Sequence, residues 1–129
     1  MRAIDTNVIV RFLTADDARQ AKAARRVIES GDIFIGTTVL LESEWVLRSG
    51  YGFEARQIAG GLAGLAGLPG VTLEEPVEVA QALDWMKQGM DFTDALHLVR
   101  SAHCGAFVSF DRKLANKAKR LGAMAVEAP

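Results

Sequence analysis

The sequence predicts an α/β fold, in which a central parallel sheet is flanked by helices on both faces within one domain over residues 1–129. Its length is typical of a single compact domain. Half of its residues are hydrophobic, which is enough to build a core. Short β-like runs alternate with helical stretches, and this order is typical of βα units that form parallel sheets.

Each predicted element has a local signal in the sequence. The clearest is the helix at 16–30, where Ala21, Ala24 and Ile28 form an apolar stripe and Gly31 follows the end. The predicted strands are 2–4, 32–36, 71–74, 106–110 and 124–127. The predicted helices are 8–13, 16–30, 37 or 38 to 49, 54–68, 76–88, 93–103 and 111–121.

Charge and cysteine content limit the function classes. The net charge of −1 does not indicate a nucleic-acid binder, so attraction to a polyanion must come from local patches or a metal ion. The single cysteine, Cys104, cannot form an internal disulfide and favours a reducing, cytoplasmic location. Its apolar neighbours predict a buried side chain. We expect no targeting signal, because Asp5 and Asn7 interrupt the N-terminal segment. We also expect no membrane span, because the uncharged run at 57–73 is shorter than the roughly 20 residues required.

Four acids fall near the strand ends, where open parallel sheets bind ligands. Asp5 ends the first predicted strand and Asp111 ends the fourth, so both are predicted on the same rim of the sheet. Glu42 lies early in the helix after the second strand, and Asp94 opens the helix before the fourth. Asp5 and Asp111 are equally well explained as helix caps, and Asp91 with Asp94, taken alone, is better explained as a capping pair. The recurrence of acids near one rim favours a site.

Two nearby glutamates are predicted to have different environments. Glu42 shares a helix face with Val39, Trp45 and Val46, where an unpaired carboxylate is unfavourable. Glu44 precedes Arg48 by four residues, the favourable order for a surface ion pair. Glu44 is therefore predicted to lie on the surface, and Glu42 to need a partner such as a cation.

Clustered carboxylates predict a hard divalent cation. Two carboxylates about 4 Å apart repel by roughly 4 kcal/mol at an effective dielectric constant near 20. Carboxylate oxygens suit Mg²⁺ and Mn²⁺, whereas no cluster of His or Cys favours zinc. Such a metal activates water and stabilises charge on phosphoryl oxygens, which suits phosphodiester hydrolysis.

Four segments, taken in order, resemble the PIN-domain ribonucleases: MRAIDTNVIV, TTVLLESEWVLR, DFTDALHL and FVSFDRKL. Their order and spacing, over nearly the whole chain, resemble VapC-type toxins of bacterial type II toxin–antitoxin systems. The resemblance implies a PIN fold and a catalytic site that binds one or two Mg²⁺ or Mn²⁺ ions. The implied catalytic and metal-binding residues are Asp5, Glu42, Asp94 and Asp111, and the implied supporting residues are Asn7, Asp91 and Ser109.

The same resemblance implies a substrate and partners. It implies endonucleolytic cleavage of RNA, often tRNA or rRNA. It also implies a homodimer, and a heteromeric complex with a cognate VapB-like antitoxin.

Some basic residues are placed to contact RNA phosphates. Lys113 and Lys117 lie on one face of the helix after Asp111, and Arg11 follows the Asp5 segment. Phosphate contacts would make binding salt-dependent. A solvated helix face explains the lysines about equally well.

Two other function classes remain open. A metal-dependent phosphatase or phosphotransfer domain also places an acidic pocket on a parallel sheet. However, only Asp5 follows the first strand, where a receiver domain has paired acids, and Asn7 stands where a haloacid-dehalogenase-like phosphatase has a second Asp. A non-catalytic RNA- or protein-binding module would be indicated by a missing acid, and none is missing.

Overall fold

The computed structural model describes residues 1–129 as seven α-helices, one π-helical turn and five short strands. All predicted elements are present in the predicted order, with ends that differ by a few residues. The strands are β1 (Arg2–Ala3), β2 (Ile33–Ile35), β3 (Val71–Leu73), β4 (Phe107–Val108) and β5 (Val126–Glu127). The helices are α1 (Thr6–Thr14), α2 (Ala18–Glu29), α3 (Thr37–Trp45), the π turn (Val46–Gly50), α4 (Ala55–Ala66), α5 (Pro76–Lys87), α6 (Phe92–Arg100) and α7 (Arg112–Leu121).

The chain divides into two compact units, Met1–Pro76 and Val77–Pro129. In the first unit, β1, β2 and β3 form a parallel sheet in that order. In the second, β4 pairs in parallel with β5. The predicted α/β class with parallel strands is confirmed, although the strands form two sheets where one central sheet was predicted. The single domain and the helices on both faces stay predictions.

The first unit has its core around β2 and the apolar faces of its helices. The stripe predicted on α2 is confirmed, since Ala21, Ala24 and Ile28 are all buried. Asp17 caps this helix by accepting a hydrogen bond from the Gln20 N–H at 2.9 Å. The amphipathic pattern and the cap together explain why this helix was predicted so closely.

A close backbone approach lies at the start of β3. Gly70 has a φ of +79°, and a Cβ atom on it would lie 2.7 Å from the Cα of Gly31. The Gly70 carbonyl accepts a hydrogen bond from the Ile33 N–H at 2.8 Å. Only glycine meets both the positive φ and the lack of space, so this residue sets how β3 enters the sheet.

In the second unit, helices α5, α6 and α7 each contribute buried apolar residues, which include Leu83, Phe92, Leu98 and Leu114. Here the prediction that Cys104 is buried is wrong, because its side chain is exposed. Helix α6 ends at Arg100, before the predicted end, so Cys104 lies in the surface turn beyond it. None of the helices combines the length and hydropathy that a membrane span requires.

Candidate active site

The first unit joins two of the predicted acids through one threonine. Asp5 follows β1 and caps α1, because its carboxylate accepts a hydrogen bond from the Thr6 N–H at 2.8 Å. The Thr6 hydroxyl donates to the Glu42 carboxylate at 2.5 Å. Thr6 itself is only 7% exposed. A buried residue with few alternative rotamers therefore fixes the positions of both acids.

These acids line an open pocket of about 370 Å³ within the first unit. Its wall is predominantly polar and combines carboxylates with an amide, a guanidinium and a phenol. The lining residues are Asp5, Thr6, Asn7, Val10, Arg11, Glu42, Val46 and Tyr51. Asn7, predicted as a supporting residue, is thus placed beside both acids.

The predicted environments of the two α3 glutamates are reversed. Glu44 is only 1% exposed and pairs with Arg48, whose Nε lies 2.8 Å from its carboxylate. Glu42 is exposed, and so is Trp45, at 58%. The pairing of Glu44 with Arg48 was predicted, but its surface position was wrong.

The buried face of α3 explains this reversal. It consists of Thr37, Leu40, Ser43 and Glu44, and Leu47 in the π turn continues it. These positions follow helical spacing, and they leave Glu42 on the opposite, open side. Apolar residue types alone placed the face wrongly, because Trp45 lies outside the core.

Arg11 reaches the pocket wall as part of a charge network. Its Nη1 lies 3.0 Å from an Asp16 carboxylate oxygen and donates to the Tyr51 hydroxyl at 2.8 Å. The Tyr51 hydroxyl in turn donates to Asp16 at 2.7 Å, which is the largest influence lowering the pKa of Asp16. The nearby charge of Asp16 raises the pKa of Arg11. Arg11 is therefore held in place and partly neutralised, and its predicted contact with RNA stays a prediction.

In the second unit, Asp91 and Asp94 both lie at the start of α6. Asp91 caps the helix by accepting a hydrogen bond from the Asp94 N–H at 3.2 Å. Burial raises the pKa of Asp94, and the nearby charges of Asp91 and Asp111 raise it further. His97 and Lys117 partly oppose this shift. Asp94 and Asp111 are thus close enough for their charges to interact.

Asp111 follows β4 and caps α7, accepting a hydrogen bond from the Leu114 N–H at 3.0 Å. Its own N–H donates to the Ser109 hydroxyl at 3.0 Å. Ser109 therefore fixes the backbone at Asp111, and its supporting role at a metal site stays a prediction. The cap and the strand-end position are both present, so the two explanations of Asp111 are compatible.

The donor chemistry of these acids fits a hard cation. None of Asp5, Glu42, Asp94 and Asp111 forms a salt bridge. No group of three or more His, Cys, Asp or Glu side chains is arranged to hold a metal ion. Mg²⁺ nevertheless keeps several waters and is commonly bound through one or two carboxylates together with substrate phosphates. Carboxylate pairs are therefore sufficient ligands for Mg²⁺, and they are poor ligands for zinc.

Comparison with known families identifies the family of this chain. A family model described as PIN domain matches residues 3–120, which includes all four predicted acids and parts of both units. The chain belongs to the PIN domain family. PIN domains are typically metal-dependent nucleases, so membership supports a hydrolase. A search of curated proteins and a search of solved structures each found no match.

Two of the basic residues predicted to contact RNA, Lys113 and Lys117, differ in exposure. Lys113 is exposed and Lys117 is half-buried, and neither forms a salt bridge. Lys117 lies near enough to Asp94 to influence its pKa. Their predicted contact with RNA stays a prediction.

Sequence analysis missed two residues of the pocket that Asp5 and Glu42 line, Thr6 and Tyr51. Thr6 stands between Asp5 and Asn7 in the first quoted segment, so its place in the motif was the available signal. Tyr51 had no comparable signal, because its contacts with Arg11 and Asp16 join positions that are distant in sequence.

Proposed function

We propose that this PIN domain is a Mg²⁺-dependent endoribonuclease, for which Mn²⁺ can substitute. We further propose that it is the toxin of a VapBC-type toxin–antitoxin module and cleaves tRNA or rRNA. Its metal-binding and catalytic residues are Asp5, Glu42, Asp94 and Asp111. Family membership supports the coarser activity, and the motif order supports the toxin assignment.

The observation that carries the proposal is the grouping of acids that form no salt bridge. Asp5 and Glu42 share one pocket, and Asp94 is close enough to Asp91 and Asp111 for repulsion to raise its pKa. An acid cluster of this kind is unfavourable by itself, because like charges repel in a partly desolvated site. A divalent cation would relieve that repulsion.

The protein residues have distinct tasks in this proposal. A divalent ion on these carboxylates supplies stabilisation of phosphoryl charge and lowers the pKa of bound water. Thr6 holds Asp5 and Glu42 in their positions, whereas Asp91 and Ser109 fix the backbone beside Asp94 and Asp111. The protein thus supplies fixed oxygen ligands.

The proposed partners fit the surface of the first unit. A homodimer, and a complex with a VapB-like antitoxin, both require apolar side chains that remain exposed in the single chain. Trp45 and Phe53 meet this requirement. A cytoplasmic location completes the proposal, because RNA and the antitoxin would be encountered there.

Cleavage of total cellular RNA by the antitoxin-free protein tests the activity. We expect discrete fragments with Mg²⁺ and none with EDTA. Asp5→Asn should reduce cleavage by at least about a hundredfold, since even outer-shell partners of metal sites are worth about 10–100-fold. Asp5→Asn combined with Asp94→Asn should lose no more than either alone, because residues that act as a unit are non-additive.

Asp17→Asn is the matched control. Like Asp5, Asp17 is an exposed aspartate that caps a helix in the first unit, and asparagine caps equally well. We expect Asp17→Asn to cleave as the parent does. Equal, metal-independent cleavage by the parent and by Asp5→Asn would overturn the proposal.

A further inference from the structure

Phe110 is a large aromatic side chain that the fold leaves in solvent. It is 87% exposed, the highest value among the exposed large hydrophobic residues. It stands between Ser109 and Asp111, immediately before a proposed metal ligand. An exposed aromatic ring in this position contributes nothing to the core and is open to contact with a ligand.

The local backbone imposes this exposure. Side chains alternate along the β4 segment, with Phe107 and Ser109 partly covered and Val108 and Phe110 open, Val108 at 61%. Phe107 stacks on His97 with ring centroids 6.2 Å apart. The Ser109 N–H donates to the Glu127 carbonyl at 2.9 Å, and Asp111 caps α7. Phe110 is thus held outward by anchored neighbours on both sides.

A basic helix begins two residues after Phe110. Phe110 lines an open pocket of about 390 Å³ with Asp111, Arg112 and Asn116. This volume lies within the range of about 300–1,000 Å³ that ligand pockets occupy. Helix α7 carries five cations and no acid, and none of its residues forms a salt bridge. The chain as a whole has a net charge of −1, so this helix is a local basic surface.

We propose that Phe110 is a stacking platform for an unpaired base of the RNA substrate, with the α7 cations on the adjoining phosphates. This inference rests on the proposed nuclease function and adds to it a base-binding residue beside the proposed metal ligand Asp111. Aromatic rings interleaved with cations bind single strands, because each base offers a π-face to the ring. In a duplex both faces of a base are already stacked, so the ring cannot reach them.

A protein partner is less well matched to this surface. The cores of protein interfaces are enriched in aromatic residues but depleted of lysine. Helix α7, which begins two residues after Phe110, instead contains Lys113, Lys117 and Lys119. The charge and the aromatic ring together therefore favour a single-stranded polyanion.

Binding measured without turnover tests the platform. In the Asp5→Asn background, we would titrate an unstructured labelled RNA 12-mer, free or annealed to its complement, and follow fluorescence anisotropy. Phe110→Ala and Phe110→Leu should each weaken binding of the single strand about tenfold. Phe110→Trp should retain it, and its added fluorescence should be quenched by the RNA. Affinity for the duplex should be unchanged in all three variants.

Salt dependence and a control variant separate stacking from charge. Phe110→Ala should leave the slope of log Kd against log salt unchanged, whereas Lys113→Ala should reduce it by about one. Val77→Ala removes another strongly exposed apolar side chain of the second unit and should bind RNA like the parent.

Several results would overturn the inference. One is that Phe110→Ala and the parent bind the single strand with equal affinity. Another is that Phe110→Ala weakens binding of the duplex as much as binding of the single strand. A third is that the parent does not bind RNA. A change in oligomeric mass of Phe110→Ala with unchanged RNA affinity would assign the ring to a protein contact. Because cleavage does not enter the measurement, failure of the nuclease proposal would be seen separately in the total-RNA assay.

Discussion

The two units hold their acids in different ways. In the first, one residue connects two acids, since the Thr6 backbone N–H donates to Asp5 at the start of α1 and the Thr6 hydroxyl donates to Glu42 in α3. In the second, Asp91 and Asp111, like Asp5, accept from backbone N–H groups at helix starts, and no hydroxyl joins them. Asp94 is half-buried near both and receives the repulsion that raises its pKa.

The first unit therefore shows acids positioned by hydrogen bonds, and the second shows an acid disfavoured by charge repulsion. In the first unit a neutral hydroxyl stabilises a carboxylate without introducing another charge. In the second, two acids satisfied as caps surround a third whose charge they disfavour. Substitutions in the first unit should therefore affect mainly geometry, and those in the second should affect mainly charge.

The largest effect is expected for Asp94→Asn. It removes a proposed metal ligand, so cleavage should fall by at least about a hundredfold. It also removes a carboxylate whose charge the fold disfavours, so thermal stability at neutral pH should rise. Cleavage assays and thermal melts of the same preparation measure both. Reduced stability together with full activity would contradict the strain assigned to this residue.

The pH dependence of the same variant has a definite sign. Because the folded-state pKa of Asp94 is raised above 3.8, its stabilising contribution is fully present below that ordinary value. The contribution is lost as pH rises through the raised pKa. Asp94→Asn should not show this loss. The difference in melting temperature between the variant and the parent should therefore increase, in favour of the variant, as pH rises from 3.8 through the raised pKa of Asp94.

An intermediate effect is expected for Thr6→Val. The loss of the hydroxyl frees Glu42, and cleavage should fall about tenfold, as for other residues that orient metal ligands. The Mg²⁺ concentration for half-maximal activity should rise. The lost hydrogen bond should reduce the free energy of unfolding by about 1 kcal/mol.

Thr6→Ser tests whether the hydroxyl is responsible. It retains the donor in a smaller side chain and should restore the Mg²⁺ dependence of the parent. If Thr6→Ser and Thr6→Val required the same elevated Mg²⁺ concentration, the residue would be acting through packing alone.

The smallest effects are expected at Asp91, where cap and charge can be separated. Asp91→Ala removes both, and should reduce stability by about 1 kcal/mol through the lost cap. Asp91→Ser retains a capping oxygen and should leave stability nearly unchanged. Both should lower the pKa of Asp94, followed by NMR titration of its carboxyl carbon. An unchanged Asp94 titration would exclude Asp91 as a source of repulsion.

Local signals made much of the fold predictable. Helix α2 has an apolar stripe and the Asp17 cap, and α7 begins after Asp111, so both lie close to their predicted bounds. The strands were placed correctly but are shorter than predicted, because hydrogen-bonded pairing ends before the apolar run does. Strand pairing into two sheets depends on distant contacts that local pattern does not contain.

The site was predictable in its residues more than in its environments. Strand ends point to Asp5 and Asp111, and motif order adds Glu42 and Asp94, whose catalytic role stays a prediction. The burial of Glu44 was not predictable, because Trp45 is exposed and the apolar residue types of α3 do not mark its buried face. The Thr6–Glu42 contact spans distant positions, and the only sequence signal for it was the motif itself.

The π turn at Val46–Gly50 has a consequence for insertions and deletions. A π-helical turn corresponds to one residue more than an α-helical turn contains. A chain shortened by one residue here can close the same turn as an α-helix, so Tyr51 would keep its contacts with Arg11 and Asp16. The segment can therefore change in length by one residue without loss of the pocket wall that Tyr51 forms.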